Sequence, residues 1–167
     1  LDINIESDLV GAMVTLPVPL HKEIDESRLL NVHTKYQAGS FFVSDFQLQD
    51  VDFQLQKDSQ FWLGKFSSPI AKGKFSYPLD IKINSIASGT FDYLRFGKYK
   101  KKMDWPIDPR NLPALQIQTS QLEFNGYSFK DVELKTEPSA TGIVINSLKG
   151  KGEDLHITLH GTWEVGV

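Results

Sequence analysis

Apolar side chains recur at every second position over short stretches of this chain. They do so at Phe46 and Leu48, at Val51, Phe53 and Leu55, and at Leu155, Ile157 and Leu159, with polar residues between them. Side chains two apart line one face of a strand, so each stretch offers a greasy face and a wet one. Similar runs stand at Leu1 to Ile5, Leu79 to Ile83, Leu115 to Ile117, Leu122 to Phe124, Val132 to Leu134 and Ile143 to Ile145. The pattern predicts an all-β fold with few or no helices. Function then turns on what covers the greasy face: a second sheet, a helix, or something that is not protein.

At 167 residues the chain suits one β-rich domain over 1–167 and is long enough to bury a core. Eighteen Lys and Arg stand against 21 Asp and Glu, a net charge of -3. Such a balance sets up no field that draws in phosphate backbones, so nucleic acid is not an expected partner. The absence of Cys excludes a disulfide framework, a thiolate nucleophile and a Cys-ligated metal. No stretch approaches the roughly 20 apolar residues of a membrane-spanning helix. Leu1 already lies inside an alternating pattern, which reads as a section of something longer.

Along the chain, the opening strand resumes after Ser7 and Asp8 with Val10, Ala12, Val14 and Leu16, and Pro17 and Pro19 end it. The stretch Ser67 to Pro78 is less regular, and 97–113 is the best candidate for a long connection. Asn125-Gly126 is a strong hairpin signal, because both residues tolerate positive φ. A two-residue turn there sets Phe124 opposite Tyr127, Leu122 opposite Phe129 and Ile117 opposite Leu134. Apolar positions nevertheless swap face between Ile117 and Leu122, between Phe129 and Val132, and around Asp50. Either bulges bend the sheet at these points or the tip folds over the edge of the core.

The chemistry-bearing residues are sparse. His156 and His160 have the helical spacing of a zinc pair, but they interleave with Leu155, Ile157 and Leu159. Four residues of strand span about 13 Å, too far for one metal, so the sequence implies no metal and no cofactor. His21 and His33 stand in no triad pattern, and there is no G-x-S-x-G elbow. Asp45, Asp50, Asp52, Asp104 and Asp108 fall at spacings that chance alone supplies among 21 carboxylates. One basic segment stands out: Lys98, Lys100, Lys101 and Lys102, with Arg95, Tyr99 and Trp105 close by. It suits contact with anionic lipid headgroups, at roughly 1 kcal/mol per residue, or simply a solvated loop that blocks edge pairing.

Two stretches carry a resemblance. SDLVGAMVTLPVPL holds Ser7, Asp8, Leu9, Gly11, Leu16, Pro17, Pro19 and Leu20 in the pattern S-D-L-x-G then L-P-x-P-L. DPRNLPALQIQTSQLEFNGYSFKDVEL holds Asp108, Pro109, Leu112, Pro113, Ala114 and Leu115, then Phe124 and Gly126, then Val132 and Leu134. With Gly142, Leu148, Leu155, Gly161, Thr162 and Trp163 near the end, the order resembles the YhdP-like branch of the AsmA-like family of Gram-negative bacteria. The middle, 57–105, matches least well.

That resemblance implies a section from the C-terminal half of an inner-membrane-anchored, periplasm-spanning protein that carries phospholipid toward the outer membrane. It implies no enzyme activity, and a curved antiparallel sheet forming an open trough. The partners it implies are phospholipid acyl chains and flanking repeats of the same chain, with membrane contact only through the full-length protein. Alternating strands laid side by side supply a continuous apolar stripe for acyl chains, whose exposure to water costs roughly 0.8 kcal/mol per CH₂. The candidate groove lining is Ile3, Ile5, Phe46, Leu48, Val51, Phe53, Leu55, Ile81, Ile83, Ile117, Leu134, Ile143, Ile145, Ile157 and Leu159, with Lys98, Lys100, Lys101 and Lys102 at headgroups. The rival architecture is a β-sandwich binding module for carbohydrate or a protein partner, with exposed aromatics such as Trp62, Trp105 or Tyr127 on a flat face. An enzyme would need polar groups converging in a cleft, and the sequence offers no such cluster.

Overall fold

A computed structural model describes residues 1–15, 20–37, 40–81, 85–97 and 108–164. Its strands are β1 (Asp2–Ser7), β2 (Leu30–Gln37), β3 (Ser40–Leu48), β4 (Val51–Lys57), β5 (Phe61–Ser67), β6 (Ala71–Pro78) and β7 (Ile86–Phe96). After a single 3₁₀ turn at Pro109–Asn111 come β8 (Ala114–Phe124), β9 (Tyr127–Pro138), β10 (Gly142–Lys151) and β11 (His156–Glu164). All eleven join one open sheet in sequence order, with β1 and β11 as its edges. The fold is all-β, with no α-helix among the described residues. The expectation of a wholly antiparallel sheet needs correction at one place, because β7 and β8 run parallel. A parallel pair obliges the chain to return to the far end of the strands between Phe96 and Ala114, so a tight turn cannot join them.

Local chemistry explains the turns. Asn125 and Gly126 have φ of 51° and 88°, and the register sets Phe124 opposite Tyr127, Leu122 opposite Phe129 and Ile117 opposite Leu134. The parity break at Asp50 is a hairpin tip and not a bulge: Gln49 takes φ 52°, and Leu48 pairs with Val51. At the β4–β5 turn the Asp58 carboxylate accepts from the backbone N–H of Gln60 (2.7 Å) and Phe61 (2.6 Å). These bonds hold its carboxyl below the usual range. Asp108 opens the 3₁₀ turn in the same way, lowered first by the Arg110 guanidinium and then by the Arg110 backbone N–H.

Three expectations fail. Val10 to Thr15, the described part of the expected run to Leu16, is no second run of strand: Val14 makes only an isolated bridge to Lys22, in a loop closed by the Arg28 N–H donating to the Asp8 carbonyl. That loop wraps a fully buried Lys22, whose ammonium donates to the carbonyls of Ala12 (2.7 Å) and Glu23 (2.8 Å). Leu79 to Ile83 is no strand over its described part either. Leu79 donates to the Gln60 carbonyl and Ser85 Oγ to the Asp80 carbonyl, so the segment belongs to the turn between β6 and β7. The stretch Ser67 to Pro78, in contrast, is regular: it ends β5, turns at Ser68 and forms β6.

A monomer of 18.9 kDa folded compactly exposes about 8,300 Å² by the usual scaling with mass. This chain exposes 11705 Å². Prolines apart, its buried apolar side chains among the described residues are few: Leu48, Val51, Ala87, Val132 and Ile143. The described strands form one sheet with no second sheet to enclose more.

Gly73 shows how tightly the centre is packed. It sits beside the irregularity in β7, where a Cβ would lie 2.4 Å from the Thr90 carbonyl oxygen and 2.6 Å from the Phe91 Cα. Because the obstacle is backbone, Gly73→Ala is expected to cost about 1–3 kcal/mol. A urea midpoint that falls at constant m-value is the check.

Candidate functional site: an apolar sheet face

Directly paired residues of neighbouring strands point to the same side of a sheet, so the register assigns every side chain to a face. One row runs Ile5, Val32, Phe46, Phe53, Phe66, Gly73, Phe91, Thr119, Val132. A second runs Leu55, Gly64, Phe75, Gly89, Ile117, Leu134, Leu148, Leu159. Leu48 with Val51, Ile3 with Thr34, Ile143 with Trp163, Ile145 with Gly161, and Gly150 with Ile157 extend the same face. All the described candidate lining residues except Ile81 therefore share one side. Ile81 lies in the β6–β7 turn, 47% exposed, because no partner strand captures its alternation. Ile83, Lys98, Lys100, Lys101 and Lys102 lie outside the described residues.

The stripe stays on one side because the irregularities are aligned. Pairing between β7 and β8 skips Asp92 and Ser120, and pairing between β8 and β9 skips Ser120 and Asp131, which has φ 51°. Three neighbouring strands thus carry an extra residue at the same level. The face swaps seen between Ile117 and Leu122, and between Phe129 and Val132, are absorbed by these bulges, and Leu94, Leu122 and Phe129 line up with the rest. β3 and β10 carry comparable shifts next to Asp45 and Asn146.

Within the stripe, glycine makes room for rings. A Cβ on Gly64 would meet the Phe75 ring at 2.2 Å, so the ring lies over the bare backbone and reaches Phe53, stacked at 6.1 Å between centroids. Phe53 also meets Phe66 edge-on at 6.3 Å. Exposure rises at the edges, to 50% for Ile5, 53% for Leu159 and 44% for Trp163, because an edge strand has one neighbour. At one end of the stripe the pairing aligns Lys57, Trp62 and Tyr77, with the Lys57 ammonium 5.9 Å from the Trp62 ring centroid. Sequence reading missed this polar-tipped row. Its signal was there: a lysine falls on apolar parity two residues after Leu55.

The opposite face is polar. His33 pairs with Asp2 (3.2 Å) and Lys72 with Asp92 (3.3 Å). Both histidines of the spaced pair fall on this side, and His160 Nδ1 donates to the Asn146 carbonyl. Two clefts, of about 770 and 830 Å³, open on this face, over the row Gln54, Lys65, Lys74 and Thr90. Their lining is mixed, with charged, amide and hydroxyl groups beside Leu55, Leu63, Phe53 and Phe66. The apolar stripe is the face on which apolar side chains continue from strand to strand. No family model, no curated protein and no solved structure matches this chain.

Proposed function

We propose that this chain is a non-enzymatic section of a periplasmic, inner-membrane-anchored protein of the AsmA-like, YhdP-like type, and that it carries phospholipid acyl chains along its apolar face toward the outer membrane. One observation carries the reading: the apolar face runs from β1 to β11 on one sheet, with no second sheet packed upon it among the described strands. Eleven strands at about 4.8 Å spacing make a path of roughly 45–50 Å. Each methylene taken from water onto that path contributes roughly 0.8 kcal/mol. Lys57, Trp62 and Tyr77 supply an ammonium, an indole N–H and a phenol at one margin, where a headgroup meets water. The sandwich-module reading lacks its second sheet among the described strands. Its proposed platform is dispersed as well, since Trp62 is half-buried in the stripe, Tyr127 stands at a hairpin tip, and Trp105 lies outside the described residues.

Native mass spectrometry of the purified chain, with lipid extraction in parallel, is the direct test. Phospholipid bound at one or more molecules per chain is the expected result. A lipid-free chain that also takes up no fluorescent phospholipid from vesicles would overturn the proposal.

A further inference from the structure

We infer that the polar face carries an oxyanion site, centred on Lys65 and Lys74, that takes a phosphate or a phosphate ester. The site lies on the opposite side of the sheet from the apolar stripe, so it stands independently of the lipid reading.

Lys65 on β5 and Lys74 on β6 are directly opposed in the middle of the sheet. Like charges in direct opposition are destabilising, and on central strands they protect no edge. Three other cations of this face sit in ion pairs: Lys72 with Asp92 (3.3 Å), Arg95 with Glu123 (3.3 Å) and Lys151 with Asp131 (3.0 Å). Among the described residues no carboxylate comes within ion-pair reach of Lys65 or Lys74.

The 770 Å³ cleft opens over this pair, and its charged lining is Lys35, Lys65 and Lys74 against Asp45. Asp45 is engaged already, accepting from the Gln54 side-chain amide at 2.7 Å. Thr90 stands beside Lys74 in the same row, and the hydroxyls of Ser76 and Ser88, 2.9 Å apart, stand in the next. Two unpaired ammonium groups with hydroxyl donors beside them match the charge and the acceptor oxygens of a phosphate. The cleft is of the size that holds a small ligand.

The test is an amide and lysine-side-chain NMR titration of the whole chain at constant ionic strength, with inorganic phosphate in one arm and glycerophosphoglycerol, a deacylated lipid headgroup, in the other. Saturable shifts at Lys65, Lys74 and Thr90 are expected. Shifts with inorganic phosphate assign a free or terminal phosphate, and shifts with the diester alone assign an esterified one. The double variant Lys65→Gln, Lys74→Gln is expected to bind at least tenfold more weakly while its thermal midpoint holds or rises, since a repulsive pair has been removed. Lys149→Gln, on the same face, is expected to bind as the parent does. Shifts in neither arm, shifts reproduced by chloride, or undiminished binding by the double variant would each overturn the inference.

Discussion

A carboxylate in the middle of the apolar face, introduced as Phe75→Asp, is expected to lower the phospholipid recovered with the chain at least tenfold. Phe75 lies over Gly64, stacks on Phe53 and occupies the row that continues through Ile117 and Leu134 to Leu159. An acyl chain crossing that row would have to strip water from the new charge, a cost of several kcal/mol that outweighs the dispersion attraction available at that point. A tenfold loss needs only about 1.4 kcal/mol of it. Gln116→Asp places the same charge on the polar face of β8 and is expected to leave the lipid content unchanged. Quantifying extracted phospholipid per chain decides the matter, with circular dichroism to show that both variants keep their sheet. Equal lipid on the two variants would sink the idea that the apolar stripe is the binding surface.

Truncation of Leu48 should give the largest loss of stability among the stripe residues, about 2–4 kcal/mol for Leu48→Ala. Leu48 is 5% exposed, paired with Leu30 on one side and with Val51, itself 2% exposed, on the other. Leu159→Ala removes the same atoms from edge strand β11, where the side chain is 53% exposed, and is expected to cost under about 1 kcal/mol. Urea unfolding of the pair measures the contrast. Similar losses at the two sites would mean that β11 is covered as well as β3 is, and the open edge would have to be abandoned.

Much of the secondary structure was legible because its causes are local. The pleat repeats every two residues, so Phe53 and Leu55, or Ile157 and Leu159, declare a shared face wherever their strand goes. Asn125-Gly126 reaches the positive φ of a two-residue turn at little cost, and that fixes the register down to Ile117 and Leu134. Ile81 misled for the complementary reason. Alternation shows that a segment is able to be a strand, but a strand needs a partner, and Leu79 and Ser85 spend their donors on turn carbonyls instead.

Alternation, hairpin chemistry and the absence of a catalytic motif were thus determined by the sequence alone. Tertiary pairing decided that β7 and β8 lie parallel, that Asp92, Ser120 and Asp131 share one level, and that Lys65 opposes Lys74. It also decided that the eleven greasy faces merge into one stripe on a single sheet, with no second sheet among the described strands. The reason is geometric. A face belongs to a strand, whereas a surface belongs to a sheet, and which strands become neighbours, and in what register, depends on contacts that no short window of sequence contains.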